Sequence, residues 1–176
     1  MSPFTRGRLL VASPDLGDPN FRRTVVLMIA HDDEGAVGLV LNRPSELTVG
    51  EALPAWRDHT APPATLYVGG PVQPDAAIAL GRGPSTRGDL VIGDLGAVDL
   101  DGTAEGHDLV RVFVGYSGWG PGQLEGELAR DDWLVVDALV DDVVTTDPDG
   151  LWRDVLRRQR GRLALFANAP DDASVN

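Results

Sequence analysis

No cysteine occurs in the 176 residues, and the fifteen basic residues are all arginine. Without cysteine there are no disulfides and no thiolate metal ligands, which fits a reducing compartment. Without lysine, a Walker-type loop lacks the cation that reaches the terminal phosphates of a nucleotide. Long apolar runs are missing as well. The longest, Val25 to Ala30, falls far short of the roughly 20 residues a membrane span needs. Arg6 and Arg8 are followed only by Leu9-Leu10-Val11-Ala12, too short for the apolar part of a signal peptide. The expectation is a cytoplasmic protein with no membrane contact.

A basic surface is lacking too: the net charge is −12. Proteins gain most of their non-specific affinity for nucleic acid by neutralising phosphates, so this balance disfavours direct nucleic-acid binding. A local patch could override it, and the candidate is Arg153, Arg157, Arg158, Arg160 and Arg162. There, Asp147, Asp149 and Asp154 precede the arginines along a helix expected to begin near Gly150. That is the order the helix dipole prefers, so the cluster reads as a solvated helix face.

What is present suffices for one domain over residues 1–176, long enough to bury a core without staples. Arg8 to Ala12 reads as a strand, and the apolar run Thr24 to His31 as a buried one. Asp32-Asp33-Glu34-Gly35 then turns the chain into Ala36 to Asn42, a hairpin stopped by Arg43-Pro44. Thr48 and Glu51 have capping-box spacing, so a short helix starts there and Pro54 curtails it. Thr65 to Val68, Ala76 to Leu80, Leu90 to Ile92 and Trp133 to Leu139 read as strands. Leu151 to Gln159 reads as a helix with Leu151, Val155 and Leu156 inward, and Leu163 to Phe166 as a final apolar segment. Many strands with a few short helices, not in strict alternation, predict an α+β fold with a mixed sheet.

One stretch organises the functional reading. Asp108 to Val114 is a β-branched and aromatic run that predicts a strand ending at Gly115. Glycines and a proline follow as far as Gly122, which predicts a tight loop. Pro121 suits a first helical turn, and Leu124 with Leu128 gives the next helix an apolar stripe. A glycine loop before a helix can present N–H groups to an anion; the same glycines can simply let a corner pack under Tyr116 and Trp119. Gly115-Tyr116-Ser117-Gly118-Trp119 has the setting of a nucleophile elbow, but Trp119 stands where that motif needs glycine, and His31, His59 and His107 all precede the serine. The glycine spacing does not fit a dinucleotide loop, so no cofactor is implied. The histidines are isolated, His31 reads as a satisfied edge residue and not a ligand, and no metal site is expected. Glu125 and Glu127 read as solvated helix charges.

The string Gly115-Tyr116-Ser117-Gly118-Trp119-Gly120-Pro121-Gly122-Gln123-Leu124-Glu125-Gly126-Glu127-Leu128 resembles the signature of the AlgH/YqgE family. Gly7 to Ala12 with Pro14, Asp18-Pro19-Asn20-Phe21 through Val26, Gly38 to Pro44, and Gly69-Gly70-Pro71-Val72 match in the same order. Trp133, Leu151-Trp152 and the tail Pro170 to Asn176 continue the match. Similar tails usually carry proline where Ala173 stands. The resemblance implies a curled, barrel-like mixed sheet flanked by a few short helices. Members are often labelled transcriptional regulators, and the family has no agreed biochemical activity.

The ingredients of a ligand-binding site are then the Gly118 to Gly122 backbone including Gly120, the hydrogen-bonding Ser117 and Gln123, and Glu125. Trp119 and Tyr116 add stacking surfaces, and Asn42 with Arg43 a polar pair at a strand end, expected to share one shallow pocket with the loop. The leading expectation is a non-catalytic binding or regulatory module that recognises a small ligand or a protein partner through Gly115 to Glu125. A hydrolase using Ser117 or Glu125 is the alternative, and an indirectly acting transcriptional regulator is a further one.

Overall fold

Hydrophobic alternation at period two sets the architecture. In the computed structural model, which describes residues 4–86 and 90–169, β1 (Arg8–Ala12) is followed by the hairpin β2 (Val25–Asp32) and β3 (Gly35–Val40). Then β4 (Pro44–Thr48) leads into α1 (Val49–Ala52), where Thr48 Oγ1 accepts the Glu51 N–H at 3.2 Å. A 3-10 turn opened by Pro54 ends that helix as expected. The lower half of the sheet comprises β5 (Thr65–Val68), β6 (Val72–Arg82), β7 (Leu90–Ile92) and β8 (Leu95–Val98). It is completed by β9 (Asp108–Trp119), followed by α2 (Gln123–Ala129) and β10 (Trp133–Asp137). Three helices finish the described chain: α3 (Val140–Val143), α4 (Leu151–Arg157) and α5 (Arg162–Leu165).

The strands pair antiparallel in the order β10-β1-β2-β3-β9-β6-β8-β7, while β5 joins β9 in parallel and carries β4. The sheet is therefore mixed. It curls, so that Arg6 reaches two distant strands at once: Nε donates to the Ile29 carbonyl and Nη2 to the Leu90 carbonyl, each at 3.1 Å. Leu9, Val11, Leu27, Tyr67 and Phe113 fill the face that α4 covers with Trp152. On the other face Leu10, Val26, Met28 and Trp119 meet Leu124 of α2 and Trp133.

Strand β9 is the spine, and here the sequence reading needs correction. It does not end at Gly115. One edge pairs with β6 from Asp108 to Tyr116; the other pairs with β5 at Phe113 and Val114, then with β3 from Ser117 to Trp119. Gly115 sits at the change of partner with φ +71, and a Cβ there would run into the Gly70 carbonyl. Gly70, in turn, has no room for a side chain against the Tyr116 carbonyl. These glycines let two backbones cross within a sheet, so the predicted loop shrinks to Gly120-Pro121-Gly122.

Other differences are smaller. Strands β4 and β8 had no clear signal, since most of β4 is exposed and β8 contains a glycine. Leu163 to Phe166 is helical, continuing into a 3-10 turn. The tail Pro170 to Asn176 lies outside the described residues.

Candidate functional site

The signature's glutamates do not idle in solvent. At the end of β9 the chain turns through Gly120-Pro121-Gly122, with Gly122 in the left-handed region (φ +74) as the residue before α2. Pro121 thus precedes the helix and does not occupy its first turn. Gln123 ties the turn: its Oε1 accepts the Gly120 N–H at 3.0 Å, and its Nε2 donates to Glu127 Oε2 at 3.0 Å one helical turn on. Glu127 Oε1 accepts both indole N–H groups, from Trp119 at 3.0 Å and Trp133 at 2.9 Å. Phe21 completes the corner, stacked on Trp119 and edge-on to Trp133, with centroids 6.1 and 5.5 Å apart. Trp119 is only 6% exposed, so its stacking faces are used inside the protein.

Glu125, on the same short helix, reaches a histidine 94 positions earlier in the chain. His31 Nε2 lies 2.5 Å from Glu125 Oε1, and His31 Nδ1 accepts the Thr5 backbone N–H at 3.0 Å. A backbone amide only donates, so Nδ1 is the acceptor, and Nε2 carries the hydrogen that goes to Glu125. Phe4 closes over the imidazole edge-on at 5.0 Å. His31 is buried and satisfied, as its strand-end position suggested, while the Glu125 carboxylate keeps nearly half its surface in water.

The remaining predicted residues divide. Ser117 is fully buried and its hydroxyl donates to the Gly69 carbonyl at 3.1 Å. Asn42 and Arg43 do not adjoin the Gly118 to Gln123 rim. Asn42 Oδ1 accepts the Val25 N–H and its Nδ2 donates to the Arg23 carbonyl, while Arg43 donates to the carbonyls of Asn20 and Arg22. Burial lowers the Arg43 pKa, and Asp18 partly offsets that. This pair clasps the backbone on either side of Phe21, and Arg43 shares a small pocket with Gly70 and Pro71. What faces water is Gly118, Gly120, Pro121, Gly122, Gln123 and part of Glu125. Among the described residues no cluster of three or more histidine or acidic side chains is placed to hold a metal.

Residues 9–164 match the family described as AlgH-like. This chain belongs to the AlgH-like family. A UPF0301 protein of Streptomyces coelicolor is 47% identical over 182 residues, covering 97% of this chain and 94% of the relative. A UPF0301 protein of Thermobifida fusca is likewise 47% identical over 187 residues, with the same coverage. The fold is similar to the crystal structure of a Corynebacterium diphtheriae protein (TM-score 0.86, 30% identity, covering 96% of this chain and 93% of that one). It is also similar to the solution structure of AlgH from Pseudomonas aeruginosa (TM-score 0.66, 33% identity, 98% of each chain). Both likenesses agree with the curled sheet and short helices of this AlgH-like chain.

Sequence reading missed both glutamate roles. Gln123 and Glu127 at i,i+4 were a usable signal for the corner. Nothing in the spacing of His31 and Glu125 announces their contact. Among the described residues, no helix is long and apolar enough to cross a membrane.

Proposed function

We propose that this AlgH-like chain is a non-catalytic recognition module that meets a protein partner with the rim Gly118 to Gln123 and Glu125. The observation that carries the reading is the division of labour within the signature. Glu127, Gln123 and the two tryptophans spend their hydrogen bonds holding the corner rigid, and the backbone at four exposed glycine and proline positions is what they hold out to solvent. Glycines let a partner's backbone approach closely, and a pre-ordered rim loses little entropy on binding. The hydrolase reading through Ser117 gains no support, because that hydroxyl is buried and turned to a backbone carbonyl. A regulatory role would be indirect. Arg153 and Arg158 of the basic cluster are engaged in packing, at the Ala167 carbonyl and at both oxygens of Asp142.

The test is a photo-cross-linking residue at position 118, where a Cβ meets only ordinary contacts at 3.5 Å, compared with position 17, an exposed glycine with open space around it. In cells, position 118 should give a discrete adduct absent from position 17, and adding Gly120→Arg, where a Cβ meets only the Gln123 side chain at 3.9 Å, should abolish it. Identical adducts at the two positions, or an adduct indifferent to Gly120→Arg, would refute the proposal.

A further inference from the structure

Away from the rim, the turn after β1, the start of β10 and the C-terminal helical segment line an open cavity of about 500 Å³. That is within the range of small-ligand pockets, roughly 300–1,000 Å³. Its wall is largely apolar: Leu134 from β10, with Leu163, Leu165 and Phe166 from α5 and the turn after it. Leu165 stands at 69% exposure beside the other apolar lining residues, so the apolar wall reaches the mouth of the cavity. The charged residues lining it come from different walls. Asp15 and Asp131 belong to the strand side, and Arg162 opens the helix side. None of the three makes an ion pair with a described residue, so opposite charges share one cavity without neutralising each other.

We infer that this cavity binds a small zwitterion with an apolar body, a short apolar peptide with free termini, its ammonium toward Asp15 and Asp131 and its carboxylate toward Arg162. A simple anion would use one arginine against two carboxylates and a chain of net charge −12. A simple cation would leave Arg162 unanswered. A neutral molecule carrying both charges answers both walls without adding to the field of the protein. The apolar body supplies most of the affinity, because exposed ion pairs contribute only about 0.2–1 kcal/mol each. The charged ends set the selectivity.

The experiment titrates the full-length chain with trileucine, N-acetyl-trileucine and trileucine amide, followed by calorimetry. Free trileucine should bind about three- to fivefold more tightly than either capped form. Arg162→Gln should erase the difference between trileucine and its amide while leaving the penalty for acetylation. Leu165→Glu, at a position exposed enough to spare the core, should weaken all three peptides. Equal affinities for free and capped peptides, or no binding at millimolar concentration, would overturn the assignment. So would binding that survives Leu165→Glu and is lost on Gly118→Arg, which would move the peptide to the rim.

Discussion

Two charged side chains, one half-buried and one fully buried, are treated in opposite ways. At the corner, the half-buried Glu127 carboxylate is surrounded by three side-chain N–H donors, two indoles and one amide. In the core, the Arg111 guanidinium is 1% exposed and donates only to backbone: the carbonyls of Val143 and Thr145 on one side, of Ala61 and Pro62 on the other. It also lies over the Tyr67 ring, 4.4 Å from the centroid. Burial lowers the Arg111 pKa and raises that of Tyr67, and each residue partly opposes the shift of the other. Glu127 has both oxygens satisfied, whereas Arg111 Nε and the Tyr67 hydroxyl are buried without a partner among the described residues. The carboxylate fastens neighbours in sequence. The guanidinium fastens two distant loops to the spine of the sheet.

The comparison predicts that Arg111 matters more to stability. Arg111→Met keeps much of the volume but leaves four inward-facing carbonyls without their donor, each a desolvation cost of the order of 1–3 kcal/mol before relaxation. Even with loop rearrangement, a loss of about 3 kcal/mol or more is expected in urea denaturation. Arg111→Lys should recover little, since one ammonium cannot span both loops as the planar fork does. If Arg111→Met unfolds no more easily than the native chain, the guanidinium is incidental to the core.

Glu127 comes next. Glu127→Ala strands two indole N–H groups and should cost about 2–3 kcal/mol, with the near-ultraviolet dichroism of Trp119 and Trp133 diminished. Glu127→Gln should cost clearly less, because an amide oxygen still accepts from both indoles while its NH2 group faces the amide of Gln123. Should Gln and Ala be equally damaging, the charge and not the acceptor geometry would hold the corner.

The same contrast explains what the sequence revealed. Glu127 and its partners lie within Trp119 to Trp133, so the Gln123–Glu127 spacing could signal the corner, yet the sequence reading picks out only the Leu124–Leu128 stripe and takes Glu127 as a solvated charge. Arg111 shows only as a charge inside a β-branched run, which alternation alone would place facing water; its partners are 32 to 50 residues away and are backbone atoms, which have no sequence signature. The strands legible in advance were those with unbroken β-branched runs, such as β2 and β7. The glycines of β9 misled because a close crossing of two backbones and a loop use the same residue for different reasons. For the candidate site, Gly118, Gly120 and Gln123 face water, but Trp119 turns inward, Glu125 reaches His31, and Asn42 and Arg43 clasp the backbone around Phe21, contacts that depend on a loop folding back.

The smallest expected effect separates burial from geometry. Arg82 and Asp108 form a bidentate pair at 2.8 and 2.6 Å, as well made as anything at the corner, but each side chain is about half exposed. The hydrogen bonds from Arg82 hold Asp108 below the ordinary carboxylate pKa of 3.8, with burial opposing and charge attraction adding. A carboxylate depressed in the folded state adds stability above its unfolded pKa, and that contribution disappears as pH falls through the folded value. Solvent screens this pair, so Asp108→Asn should change stability at neutral pH by less than Glu127→Gln does. Native and variant chains should then converge as the solution is acidified below about pH 4. If Asp108→Asn proves as costly as Glu127→Gln, hydrogen-bond geometry would outweigh desolvation, and the ranking of Arg111 over Glu127 would lose its physical basis.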